Sequence, residues 1–194
     1  MLSTTDAIVL SLQPHSDKAQ VLHAYTRAGG RAKYMVYGLG RKHPIGMYMP
    51  LSLVQITADH SPSKPPTLKE ASPLTANPLT ANPFKSAIAL FLSEVLYHVL
   101  RHPMPDEPMY AFLEQAVQRL DTIDEPQNFH LEFMVGLAAK LGFAMPEEQN
   151  PIRTLPRTRK ERQEALRALC AYFEEHVETW ETPKSLDILM EVFD

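Results

Sequence analysis

The sequence predicts an α+β chain, a small β-barrel followed by an all-helical domain. Three observations carry that prediction. The first seventy residues read as short strands separated by turn signals, with no helical period among them. A Pro-rich break at residues 72–84, in which PLTAN occurs twice in tandem, marks a change of style. From residue 83 onward the apolar residues recur at helical spacing.

The strands follow in order. In "AIVLSL" (7–12), Ile8, Leu10 and Leu12 alternate with smaller neighbours, the pattern of a half-buried strand. "QVLHAYT" (20–26) is a second, and "RAGG" (27–30) supplies a turn. "RAKYMVYG" (31–38) is a third, with Lys33, Met35 and Tyr37 on one face and Tyr34 and Val36 on the other. "MPLSLVQITA" (49–58) is a fourth, Leu51 and Leu53 facing opposite to Val54 and Ile56. The polar connection "DHSPSKPP" leads to a fifth near "TLKEA" (67–71). Five short strands without intervening helices suggest a closed or partly closed barrel. The boundaries fall at 1–72 for the barrel, 73–83 for the linker and 84–194 for the helical domain.

Asn82 before Pro83 is an N-cap with proline at N1. The helix 83–101 is apolar on most sides, broken by a stripe of Glu94, His98 and Arg101, and should be the central buried helix. Residues 106–123 place Tyr110, Leu113, Val117 and Leu120 on one face. Residues 128–143 open on an Asn cap and stop at Gly142. The stretch 157–178 turns Leu166, Leu169 and Phe173 inward, and 183–193 is a short closing helix.

Composition excludes several classes. Hydrophobic content of 44% and charged content of 22% are globular values. No apolar run approaches the ~18 residues of a membrane span, and the N-terminus lacks signal-peptide organisation, so a cytoplasmic protein is expected. The single cysteine, Cys170, excludes an intramolecular disulfide and any Cys-based zinc site, and its amphipathic setting reads as a buried small hydrophobe. Glu94, His98 and His102 share one helical face at four-residue spacing, which reads better as a polar stripe than as a metal site. No nucleophile elbow or acid–base pair suggests catalysis. Gly38-Leu39-Gly40 lacks the third glycine and the following helix of a dinucleotide fingerprint.

Charge is uneven. Residues 1–85 carry nine Lys and Arg against four acids, net +5, which leaves −9 for the remainder. The basic half suggests an anion-binding module. Lys18, Arg27, Arg31, Lys33, Arg41 and Lys42 fall on or beside the first three strands, with Tyr25, Tyr34, Tyr37 and Tyr48 among them. A barrel with a cationic groove and aromatic platforms binds single-stranded nucleic acid. Whether each tyrosine is platform or core depends on register. The loop "VYGLGRKHP" (36–44) is then a turn leaving the third strand, with Arg41 and Lys42 at the rim of such a face.

The ordered set "AIVLSLQPHSDKAQVLHAYTRAGGRAKYMVYGLGRK…PLSLVQI", "FKSAIALFLSEVLYHVLR", "NFHLEFMVGLAAKLGF" and "KSLDILMEVF" resembles the RecO family of bacterial recombination mediators, in its Bacteroidetes form. The resemblance implies an N-terminal OB-fold β-barrel followed by an all-helical domain. It also implies a non-enzymatic, nucleoid-associated protein without cofactor that binds single- and double-stranded DNA and anneals complementary strands. With RecR, such a protein loads recombinase onto DNA coated by single-strand-binding protein, whose acidic C-terminal tail docks on the helical domain. The implied DNA residues are Lys18, Arg27, Arg31, Lys33, Tyr34, Arg41 and Lys42. Arg101, Arg119, Lys140 and Arg153 are candidates for holding the tail. Three departures stand out. The chain cannot build the family's four-cysteine zinc element. The glycine early in the first strand and the Tyr-x-Glu pattern after it are missing around Asp6-Ala7 and "QPHSDK". The stretch from Phe143 to Arg157 is short. A protein-interaction adaptor without intrinsic DNA binding is the alternative function.

Overall fold

The chain alternates residues of period two until Pro73, and five strands result: β1 (Leu2–Ser16), β2 (Ala19–Thr26), β3 (Gly30–Tyr37), β4 (Leu53–Ser61) and β5 (Lys64–Pro73). The computed structural model describes residues 1–61, 64–75 and 82–192. The strands close in the order β1-β2-β3-β5-β4, with β4 returning to β1. The β3–β5 pair is parallel and the others are antiparallel. This is a five-stranded barrel of OB type.

Closure requires β1 to pair with two neighbours, and it does so by length and bending. It runs through "QPHS", expected as loop, and carries register shifts between Val9 and Ser11 and between Pro14 and Ser16. Such bulges bend a strand and raise its twist. Ahead of β4, Leu51 takes φ 60° and donates its N–H to the Val9 carbonyl. The segment expected to begin the fourth strand at residue 49 is therefore a turn that follows a short 3-10 helix, Ile45–Tyr48.

Alternation sorts the strands into two faces. Ala7, Val9, Leu22, Ala24, Tyr34, Val36, Val54 and Ile56 fill the barrel. Ile8, Leu10, Tyr25, Leu51 and Leu53 point outward into a second core shared with the helices. β1 is thus buried on both faces, because α1 covers the side that alternation alone leaves to solvent. Each fully buried aliphatic side chain contributes about 1.5–3 kcal/mol.

The helices are α1 (Pro83–Val99), α2 (Glu107–Thr122), α3 (Phe129–Lys140), α4 (Arg159–His176) and α5 (Leu186–Val192). Asn82 caps α1, its Oδ1 accepting from the N–H groups of Phe84 and Lys85. Asp106 caps α2 through Met109 N–H, and Thr158 with Glu161 forms a capping box on α4. Asn128 makes no cap, since its Nδ2 donates to the Pro156 carbonyl instead. Gly142 ends α3 at φ 92°, where only glycine sits without strain. The polar stripe of α1 docks the C-terminal segment: Glu94 accepts from both the N–H and the hydroxyl of Ser185, and Thr179 donates to the His98 carbonyl. Cys170 is buried, and burial pushes its thiol up to about 12. Residues 62–63, the part of the tandem repeat at residues 76–81, and residues 193–194, which include the expected end of the closing helix, lie outside the described residues.

Candidate nucleic-acid interface

The faces of β3 decide which candidate residues can meet a ligand. Its inward side chains, Tyr34 and Val36, are buried in the barrel. Its outward row is Arg31, Lys33, Met35 and Tyr37, at about 6.6–6.8 Å per two-residue step. Tyr34, expected as a contact, is 5% exposed and packs in the barrel core. It is corrected to a core residue, because its parity on β3 is that of Val36. Tyr25 and Tyr48 are buried as well, and Tyr37, 50% exposed, is the outward ring of β3.

Lys33, Arg41, Lys42 and Lys18 are exposed. Tyr37 pairs with Ala19, so the β1–β2 turn carrying Lys18 lies beside the end of β3. The loop that follows is built on glycine. Gly38 and Gly40 take φ 73° and 82°, and the Gly38 carbonyl accepts from the N–H groups of both Arg41 and Lys42. His43 turns inward, its Nδ1 3.0 Å from the Tyr48 hydroxyl, and burial with the Lys42 charge lowers its pKa. One end of the barrel therefore presents Lys18, Tyr37, Arg41 and Lys42, with Lys33 two steps along the same row from Tyr37.

Arg27 and Arg31 go elsewhere. Arg27 lies over the Tyr110 ring at 4.5 Å, donates to Glu114 at 2.7 Å and pairs with Glu107 at 3.8 Å. Burial opposes its charge, but Glu114 and Glu107 more than offset that and its pKa is raised. Arg31 lies over Tyr97 at 4.2 Å and reaches the Tyr97 carbonyl and His23 Nδ1, each at 3.4 Å. Burial lowers its pKa to about 10. Both arginines join barrel to helices, one through α2 and one through α1. Gly30, at φ 62°, lets the 102–104 loop close on β3, with Arg31 N–H donating to the His102 carbonyl.

Two cavities line the seam. One of about 680 Å³ is bordered by Leu12, Ile45, Met49, Tyr97, Arg101 and Lys184. The other, about 550 Å³, is lined by Arg101 and Lys140, by Asp106 and Glu107, and by Leu100, Met109 and Leu141. Arg119 is paired instead with Glu132 at 2.6 Å, and neither it nor Arg153 lines these cavities. Among the described residues, no group of three or more His, Cys, Asp or Glu side chains is placed to hold a metal. Nor is any helix there long and apolar enough to cross a membrane.

Comparison with known proteins agrees with this architecture. Residues 1–76 match the family model described as recombination protein O N terminal, and residues 81–152 match recombination protein O C terminal. The DNA repair protein RecO of Phocaeicola vulgatus is 31% identical over 240 aligned positions, covering both chains in full. That of Bacteroides fragilis is 30% identical over 244, again covering both in full. That of Porphyromonas gingivalis is 30% identical over 165, spanning 81% of this chain and 67% of its own. With the barrel, the helical part and full-length similarity in agreement, the chain belongs to the RecO family of DNA repair proteins.

Proposed function

We propose that this protein is a non-enzymatic recombination mediator that binds single- and double-stranded DNA and anneals complementary strands. With RecR it helps load recombinase onto DNA coated by single-strand-binding protein. The observation that carries the reading is the outward row of exposed Lys33, half-buried Met35 and exposed Tyr37, with Lys18, Arg41 and Lys42 at its end. Cations there neutralise phosphates in a salt-dependent, sequence-tolerant way, and the Tyr37 ring offers one base a stacking surface. The cavity shared by Arg101 and Lys140 is the candidate seat for an acidic tail, with Leu100, Met109 and Leu141 supplying apolar contact. Such work places the protein with the chromosome.

An annealing assay tests this. Two complementary oligonucleotides with donor and acceptor dyes, coated with single-strand-binding protein, should anneal faster with the wild-type chain. The Lys33→Ala/Arg41→Ala/Lys42→Ala variant should lose most of that acceleration. Annealing at the protein-free rate with wild type would favour the adaptor reading.

A further inference from the structure

Strand β1 outlasts one of its two partners. β4 pairs with it from Leu2 to Ile8, and Val9 still bonds to the turn before β4, its N–H donating to the Ser52 carbonyl and its carbonyl accepting from Leu51. β2 continues beside it to Ser16. Among the described residues, no strand pairs with the other edge of residues 10–13, and no turn or loop backbone hydrogen-bonds to it. We propose that this open edge takes an extended, uncharged segment of a partner protein as an added strand, with apolar side chains at alternate positions.

Three residues set which backbone groups face that edge. Val9 aims its N–H and carbonyl away from β2. The register shift between Val9 and Ser11 adds one residue, so the next outward residue is Leu12, and Pro14 follows in phase. Pro14 has no N–H to give, which a strand tolerates on a side without a ladder partner. The side chains agree with this parity: Val9 and Leu12 pack on the barrel core, whereas Leu10 joins the core beneath α1. An added strand therefore gains the N–H and carbonyl of Leu12 and the carbonyl of Pro14, about 7 Å further along β1.

The surroundings select the occupant. Residues 10–13 line the cavity of about 680 Å³, so the edge opens into a recess rather than onto a flat face. One wall carries Ile45 and Met49, 58% and 37% exposed, ready to cover apolar side chains of an added strand. The opposite wall is α1 with the C-terminal segment, where Arg101 and Lys184 stand against Glu94 and Glu181. Burial lowers the pKa of His98 there, so its ring is neutral at pH 7. Two cations and two carboxylates leave no net charge, and Glu94 is already bonded to Ser185. The recess therefore favours neither a phosphate backbone nor an acidic tail, and main-chain pairing under apolar cover supplies the affinity. A second copy would have to bring its own α1 and 3-10 helix into the same recess, whereas a single extended segment needs only the width of one strand.

The test draws the partner strand from random sequence. Phage-displayed peptides of about ten residues, panned on the full chain, should converge on alternating apolar and uncharged polar residues without an excess of Asp or Glu. A fluorescein-labelled recovered peptide should bind with an affinity that changes less than about twofold from low to high salt. Methylating its alternate backbone nitrogens should weaken binding about tenfold or more, and so should Leu12→Pro, which removes the outward N–H. Ile45→Ser/Met49→Ser, which alters only exposed side chains, should weaken it too and gives the reading where Leu12→Pro disturbs the fold. The Lys33→Ala/Arg41→Ala/Lys42→Ala variant should bind the peptide as wild type does, since the edge is separate from the DNA row. Recovery of no peptide, or of peptides held equally by wild type and both edge variants, would overturn the proposal. Acidic peptides with salt-sensitive binding would make the recess an anion site and also overturn it. So would a wild-type dimer in sedimentation that Leu12→Pro dissociates, which would give the edge to a second copy.

Discussion

Tyr34 and Tyr37 stand three residues apart on β3 and have opposite roles. Tyr34 is packed inside the barrel and Tyr37 lies half open on its outer row. Tyr34→Ala should cost about 3–5 kcal/mol in urea unfolding, the usual result of emptying a buried aromatic site. Tyr37→Ala should change stability by no more than about 0.5 kcal/mol, yet weaken oligonucleotide binding by the ~1–3 kcal/mol of one stacked base. Equal effects of the two substitutions on unfolding would contradict the assignment of faces. Gly30 gives a second test. A Cβ there would collide with the Met104 carbonyl oxygen and sit 2.7 Å from the His102 carbonyl oxygen and 2.9 Å from Met104 N, on a residue already at φ 62°. Gly30→Ala should cost about 1–2 kcal/mol in backbone strain and about 1 more in the lost Arg31–His102 hydrogen bond. Gly29→Ala, whose Cβ would meet only Thr26 Oγ1 at 3.3 Å, is the control.

At the scale of elements, local signals were readable and contacts between distant segments were not. The opposite faces of Leu53 and Ile56, the Asn82-Pro83 helix start and the Gly142 stop each depend on neighbours in sequence, and each is found as expected. The double burial of β1 depends on α1, eighty residues away, and alternation within the strand does not encode it. Asn128 fails as a cap because Pro156 offers its side chain another partner. Arg27 and Arg31 look in sequence like any strand-edge cations; only folding brings Glu114 and Tyr97 to them. Arg27→Ala should lower stability by about 1–2 kcal/mol through its ion pairs and ring contact, and leave the salt slope of DNA binding unchanged. His23 lies in the same seam, against the edge of Tyr97. Burial, with Arg31 and Lys33, pushes its pKa down to about 4. Unfolded, the ring titrates near 6.5. Between those values only the unfolded chain takes up the proton, so this contribution to stability is full above about pH 6.5 and fades as pH falls toward 4. His23→Gln should flatten that part of the curve of urea midpoint against pH, and parallel curves for variant and wild type would contradict the link.

For the whole molecule, charge and architecture point the same way. The first 85 residues carry +5, and folding leaves Lys18, Lys33, Arg41 and Lys42 exposed at one barrel end and on the β3 row, with Lys64 and Lys69 exposed on β5. Composition foretold a basic module but not which cations remain open, because that depends on the two arginines spent on holding the domains together. The most direct test of the account is a fluorescence-anisotropy titration of a labelled single-stranded oligonucleotide across a salt series. It should compare wild type, Arg27→Ala and the Lys33→Ala/Arg41→Ala/Lys42→Ala variant. Wild type and Arg27→Ala should share a steep slope of log affinity against log salt, and the triple variant should lose about 2 units of it. A triple variant with the wild-type slope, or an Arg27→Ala slope reduced as much as the triple's, would contradict the assignment of the DNA face.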